Sequence, residues 1–395
     1  VLATALIAVA LAVAAATWWF SSVASGPLPA ADPNVDGRRL AAIYDPPSRA
    51  VEAAINKGDG QLFAALATDP AVLRPSQVRG PEAEQAYRYQ RMGYGWLGWL
   101  ASGGQAAAVP WALIAVTVAS IGLLVGAGGL LLLDRGIDPR FALLLALQPA
   151  VFIDLTWIGP EVLGTALALI GLVSWTRRSA PVAAAGTAAA ATPQAITVAV
   201  ACFAAAGLCR ETLLLVPAVL AVRELVAKRW AAAWMASAAA TPYVAWVLLL
   251  RVRIGAWPSG SVDGRLSVVP FRGLVQAASG WGAADAAVAA LVLVPAILAV
   301  VAGERGPLRA VVVAHVALAA TLGQPVWNRW PDFSRVLLPL STVAIVLVVD
   351  AAVRARRGAR SPASSGNLGT WSNVPPPAPS PTLPAPTSSR TSTAG

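Results

Sequence analysis

Asp59 stands between two glycines in Gly58-Asp59-Gly60-Gln61-Leu62-Phe63, and a basic, aromatic run follows at Ala86-Tyr87-Arg88-Tyr89-Gln90-Arg91. A carboxylate within hydrogen-bond reach of a hydroxyl can take its proton. Arginine presents a planar fork of donors that suits a phosphate. Further residues of both types are scattered along the chain. Asp154 and Glu161 flank Trp157-Ile158-Gly159-Pro160, Arg210-Glu211 lies between two apolar segments, and Asn328, Arg329, Asp332 and Arg335 precede the last one. Charges at or just inside a membrane boundary are costly and functional by default.

Several of these residues also have a plain structural account. Asp59 alone fits an ordinary turn, and Glu161 after Pro160 suits the positive end of a helix dipole. Arg210-Glu211 fits a hairpin tip that meets water, and Glu84 with Arg88 is a routine helical pair. Asp154, about one turn inside its boundary, is harder to explain in that way. His315 and Gln324 read as interhelical hydrogen-bonding residues. Gly126-Ala127-Gly128-Gly129 reads as close helix packing.

The elements that must position these residues are apolar. The chain has 395 residues, 57% hydrophobic and 12% charged, against about 25% charged in soluble domains. Apolar stretches of the length needed to cross a bilayer recur, and helices satisfy their own backbone there. The pattern predicts an all-α, polytopic transmembrane helical bundle of about ten spans: 2–24, 111–133, 141–158, 161–176, 195–208, 212–227, 231–250, 284–303, 310–326 and 335–353. A long first loop, 25–110, is expected to carry amphipathic pieces over 48–69, broken at Asp59. A helix over 81–101 would place Tyr89, Trp96 and Trp99 on an interfacial face. Val23-Ala24-Ser25 also fits a signal-peptide cleavage site; the absence of a basic n-region and the long apolar stretch favour a retained span. Residues 1–353 read as one membrane-embedded domain, and 354–395 as a disordered Pro/Ser/Thr-rich tail.

Net charge is +10, from 29 Lys+Arg against 19 Asp+Glu. No basic stripe with interleaved aromatics occurs, which excludes a nucleic-acid partner. Basic residues instead alternate between loops. One side carries thirteen, including Arg135, Arg177, Arg178, Arg229 and Arg354, against seven in the short loops opposite. The positive-inside rule places the richer side and the tail in the cytoplasm, and 25–110 outside. Trp157, Trp257, Trp281, Trp327 and Trp330 then read as an outer aromatic belt, with Trp175, Trp230 and Trp234 as an inner one. Cys202 and Cys209 are seven residues apart on a helix, about 10 Å along its axis, too far for a disulfide. With His315 the single histidine, neither a metal site nor a cofactor motif is expected.

The order of a first span, a long loop with a small-residue-flanked Asp, and a multi-span body resembles the GT-C class of integral-membrane glycosyltransferases. More narrowly, Gly58-Asp59-Gly60-Gln61-Leu62-Phe63 with Leu66-Ala67-Thr68-Asp69-Pro70, and Tyr87-Arg88-Tyr89-Gln90-Arg91 with Tyr94 and Trp99, are similar to stretches of bacterial cell-surface glycopolymer proteins. Leu208-Cys209-Arg210-Glu211-Thr212 is similar to that family's Arg-Glu-Thr hairpin tip, and Tyr243-Val244-Ala245-Trp246 with Arg253-Ile254-Gly255 resembles a later span. The resemblance covers residues 1–353. Gly58 and Leu62 stand where the family has aromatics, and Gly95 where it has proline.

The resemblance implies transfer of a sugar from a polyprenyl-phosphate donor to a glycan or glycolipid acceptor, at the outer face of the plasma membrane and without a metal. The chain has no glycine-rich nucleotide loop in a strand–helix setting, and a lipid-delivered donor agrees with that. On this reading Asp59 is expected to act as the base on the acceptor, and Arg210, with Arg88 or Arg91 as alternatives and Arg329 or Arg335 assisting, to hold the donor phosphate. Gln61, Asp154, Glu161, Glu211 and Asp332 position the substrate. Two other functions use the same charges: a transporter or flippase for a lipid-linked or anionic solute, and a non-catalytic envelope-assembly protein. Transporters often carry internal repeats, and none is found.

Overall fold

The computed structural model describes residues 1–24, 59–78, 80–178, 193–258 and 264–360. The expected piece over 48–58, most of the loop at 179–194 and the tail beyond 360 lie outside the described residues. The described chain is all helical, without a named strand; a single isolated bridge pairs Leu266 with Leu322. Contacts divide the chain into Val1–Arg354 and Ala355–Gly395. Of the second unit only the helical residues 355–360 are described.

The helices are α1 (Leu2–Ala24), α2 (Gly60–Thr68), α3 (Glu82–Tyr89), α4 (Met92–Ala101), α5 (Val109–Leu133), α6 (Pro149–Trp157), α7 (Glu161–Arg177), α8 (Pro193–Cys209), α9 (Leu215–Val226), α10 (Trp230–Ala238), α11 (Thr241–Ile254), α12 (Arg272–Ala278), α13 (Ala283–Ala302), α14 (Pro307–Thr321), α15 (Gln324–Trp327), α16 (Trp330–Val336) and α17 (Leu338–Arg360). Five segments are long and apolar enough to cross a membrane: Leu2–Ser22, Ala106–Leu133, Trp230–Ile254, Ala283–Ala302 and Leu338–Arg357. A sixth is reached if Pro139–Leu145 and α6, bent by 60°, form one span. The described helices do not reach the expected ten by length. The segments expected over 161–176, 195–208, 212–227 and 310–326 correspond to α7, α8, α9 and α14, of 17, 17, 12 and 15 residues. A straight crossing takes about 20 residues.

Small residues set the packing of the body. A Cβ added at Gly122 of α5 would lie 2.5 Å from Val9 of α1, and one at Gly171 of α7 would lie 2.5 Å from Phe203 of α8. The 126–129 glycines likewise face Ala5, Leu145 and Pro139, which is the close packing expected of them. The central core runs through α1, α5, α7, α8 and α17.

The segment after Asp59 builds a smaller core of its own. Residues 60–67 of α2 are all buried, packed with Tyr89, Met92, Tyr94, Leu113, Trp246 and Leu250. An amphipathic α2 is therefore not what forms, because both of its faces are covered. The helix expected over 81–101 breaks at Gln90 and Arg91 into α3 and α4. Tyr89 is not interfacial: it is fully buried, its hydroxyl donating to Asp69 at 2.9 Å and its carbonyl accepting Trp246 Nε1–H at 2.9 Å. Asp69 also accepts the backbone N–H groups of Leu73 and Arg74, each at 2.8 Å, so it pins the turn after α2. Burial and the Asp69 charge push the Tyr89 hydroxyl pKa up.

Two expected belt residues are core residues. Trp327 is fully buried with Trp281 and Phe333, and Trp175 is 2% exposed beneath the guanidinium of Arg178. Gln324 is exposed, so it is not an interhelical hydrogen-bonding residue. His315 is fully buried and turns its Nδ1 to Val311 O of its own helix, 2.9 Å away.

Candidate functional site

Segments far apart in sequence converge on one cavity of about 610 Å³, within the usual range for small-molecule sites. The N-cap of α2 supplies Asp59, the last turn of α3 supplies Tyr87 and Arg88, and the α3–α4 break supplies Gln90 and Arg91. Glu161 comes from the first turn of α7; Arg210, Glu211 and Thr212 come from the turn after α8. Arg265 approaches on the loop before α12, and Arg329, Asp332 and Arg335 come from α16 and its N-cap. The wall carries six arginines against four carboxylates. Its charges are therefore mixed and sorted locally.

Arg335 is the hub. Its Nη2 donates to Asp59 Oδ2 at 2.7 Å and to the Glu161 oxygens at 2.9 and 3.1 Å, and its Nε lies 3.4 Å from Asp154 Oδ1. The guanidinium also sits 5.6 Å from the Trp157 ring centroid. Arg210 pairs with the same Glu161. Two arginines thus serve three carboxylates, and apart from Asp59 every member is nearly fully buried. Such a cluster holds only while each charge is answered, because desolvating an unpaired ion costs several kcal/mol.

The turn between α6 and α7 forms this cluster. Asp154 Oδ2 accepts the Val162 N–H at 2.7 Å, satisfying a free donor in the first turn of α7. The chain turns through Ile158 at φ +55°, a strained choice for a β-branched residue. Gly159 follows beneath both acids. A Cβ there would meet Asp154 Oδ1 and Glu161 Oε2, each at 2.5 Å. Glycine is required because the carboxylates occupy the space.

Asp59 is the member that reaches the cavity, its side chain 30% exposed. Burial pushes its pKa up, but the charge and hydrogen bond of Arg335, with Arg88 and Arg91 behind, outweigh burial and hold it at about 2. It is ionised throughout the physiological range. Burial alone would push Arg335 down, and its acidic partners raise it instead. On the adjoining wall, Arg91 grips Glu211 through Nε at 2.9 Å and Nη2 at 2.7 Å. Against the opposing effect of burial, Arg91 and then Arg210 hold Glu211 at about 2. Burial and the Arg91 charge lower Arg210 to about 10.

The structure brings together Asp59, Glu161, Glu211, Arg88, Arg91, Arg210, Asp332 and Arg335 around one space. It does not place Asp154 or Gln61 on that space. Asp154 is fully buried behind Arg335, and Gln61 is 1% exposed within α2. Neither lines the cavity; Asp154 positions Arg335 and the start of α7. Arg88 answers Glu84 at 2.7 Å, as expected, and Arg329 pairs with Asp332 at 3.0 Å near solvent.

Sequence reasoning missed Arg265. Its Nη1 donates to the Tyr87 hydroxyl at 2.7 Å, across 178 positions, and its guanidinium lies 5.1 Å from the Tyr87 ring centroid. No carboxylate partner is found for it among the described residues. A lone arginine in a loop carries no local signal of such a contact. Among the described residues, no group of three His, Cys, Asp or Glu side chains is arranged to hold a metal. Searches against protein families, curated proteins and solved structures find no match to the chain.

Proposed function

We propose that the protein is a membrane glycosyltransferase that moves a sugar from a polyprenyl-phosphate donor to an envelope glycan or glycolipid hydroxyl. The observation that carries this reading is the cavity itself. One wall presents an ionised carboxylate, Asp59, beside Arg335, and another presents arginines and hydroxyls. The acceptor hydroxyl donates to Asp59, its oxygen attacks the anomeric carbon, and the sugar–phosphate C–O bond breaks. The phosphate leaves with the electron pair, and the hydroxyl proton passes to Asp59. A carboxylate held at about 2 is a weak base, so this proton moves late, once the attacking oxygen has become acidic. Arg335 keeps Asp59 deprotonated and fixed.

In this reading the cavity faces the outside of the plasma membrane. The shorter helices α7, α8, α9 and α14 complete the embedded body between the five long ones, and the tail is cytoplasmic. The division of arginines between alternate loops supports that orientation. Glycan profiling of a strain deleted for this protein, with analysis of its lipid-linked sugars, tests the reading. An altered envelope glycan with an accumulated lipid donor is expected. An unchanged glycan and donor pool would overturn it.

One observation favours transport of a lipid-linked or anionic solute instead. The pair Pro139–Leu145 and α6 is bent by 60° and delivers Asp154 to the charged cluster, and broken helices often frame transporter sites. Uptake of labelled donor into proteoliposomes without covalent transfer would select that reading.

A further inference from the structure

Three guanidiniums surround one tyrosine. Arg91, Arg265 and Arg88 lie 4.9, 5.1 and 5.9 Å from the Tyr87 ring centroid. Two of them donate to its hydroxyl oxygen, Arg265 Nη1 at 2.7 Å and Arg91 Nη2 at 2.8 Å. A phenol oxygen accepts two hydrogen bonds and donates one. Both acceptor positions are therefore filled, and no acceptor for the Tyr87 proton is found among the described residues. Tyr87 is 7% exposed and lines the cavity, so that proton can be offered to a molecule bound there.

Other donors on the same cavity lack partners. Thr212 Oγ1 and Arg210 Nε are buried without a hydrogen-bond partner, and both residues line the space. Buried donors are normally satisfied. Here these unmet donors and an arginine with no carboxylate partner among the described residues line one cavity, while Asp59 and Glu161 are drawn to Arg335 and Glu211 to Arg91. The missing partner has the chemistry of an oxyanion with several acceptor oxygens.

We infer that Tyr87 and Arg265, with Thr212, form a phosphate-binding subsite in which the Tyr87 hydroxyl donates to a phosphate oxygen, while Arg91, held by Glu211, fixes the Tyr87 oxygen. Arg335 is not the phosphate ligand, because carboxylates already occupy it. Arg265 is held for this task by its own loop, where Gly323 N–H donates to the Arg265 carbonyl at 2.7 Å and Ser267 N–H to Thr321 O at 2.7 Å. The subsite rests on the proposed function for the identity of the phosphate's carrier, whereas its binding does not require the transfer step.

The test measures binding to the purified full chain in detergent, using a ten-carbon isoprenyl monophosphate, the corresponding alcohol and inorganic phosphate. The monophosphate is expected to bind well above the alcohol. Arg265→Gln and Tyr87→Phe should each weaken it about tenfold or more, since a hydrogen bond to a charged group is lost. Arg265→Lys should recover part of the loss, and Arg354→Gln should change nothing. Inorganic phosphate bound as tightly as the lipid, with the same variant losses, would support the subsite with a soluble phosphate as its ligand. Monophosphate binding no tighter than the alcohol would overturn the inference. So would unchanged binding in both Arg265→Gln and Tyr87→Phe with unfolding temperatures like wild type. A wild-type protein that binds phosphate in this pattern but transfers no sugar would remove the transferase reading and leave the subsite standing.

Discussion

Helix α7 carries a charged cluster at each end, and the two ends are built differently. Its 17 residues separate them by roughly 25 Å. At the C-terminal end, arginines pair with acids on other helices and loops: Arg177 with Asp134, Arg178 and Arg229 with Glu224, Arg135 and, within its own helix, Arg354 with Asp350, and Arg354 with Glu304. Arg177, Arg229, Arg354 and Glu304 are well exposed while Arg178, Glu224 and Asp350 are buried, and five arginines answer four acids. At the N-terminal end the ratio inverts, with Asp59, Asp154 and Glu161 sharing Arg335 and Arg210. There the charges are buried and open onto a cavity. The contrast shows that neither ion pairing nor a shared arginine marks a site by itself, since Arg354 is also shared by two acids. What sets the N-terminal end apart is that its charges border a cavity.

The largest effect should come from removing the hub. Arg335→Ala leaves buried carboxylates unanswered and should cost about 3–5 kcal/mol, measured by unfolding in detergent. Arg354→Gln at the other end should cost only about 0–1 kcal/mol. Equal losses would erase the distinction between the two ends. Next comes Gly159→Ala, whose Cβ pushes on both acids beneath Arg335. It should lower activity about tenfold or more by misplacing Asp59's partner, while Gly171→Ala, far from the cavity, should act on stability alone.

A smaller effect concerns pH. Asp59 and Glu211 are both held at about 2, below the unfolded values of about 3.9 and 4.3. Their contribution to stability is therefore complete above those unfolded values and is lost as pH falls toward about 2. Wild-type activity should show no acid limb from Asp59 above about pH 4. Arg335→Lys, which keeps a charge but loses the fork, should shift the onset of acid inactivation upward. An unshifted pH profile would show that Arg335 does not set the state of Asp59.

Much of the cavity was legible as residue types at chain boundaries. Glu161, Arg210, Glu211 and the 329–335 cluster stand out because charge is rare in so apolar a chain, and they do converge. The span count was less legible: the stretches at 161–176, 195–208 and 212–227 are already short in the sequence, and α7, α8, α9 and α14 are shorter than a straight crossing takes. Gln61 is expected to position the substrate beside Asp59, yet packing covers α2 on both faces. Asp154 is conspicuous as a carboxylate in an apolar stretch, but its acceptor role toward Val162 depends on the strained turn at Ile158. Arg265 and the third-party role of Tyr87 are tertiary facts, set by a contact across 178 positions.

The account turns on Asp59 as the residue that receives the acceptor's proton. Its most direct test is sugar transfer from a radiolabelled polyprenyl-phosphate donor in membranes holding equal amounts of wild-type and Asp59→Asn protein. The account predicts transfer by wild type and a loss of about 10²–10⁴-fold in the variant, with donor binding retained. Full transfer by Asp59→Asn at the same protein level would contradict it.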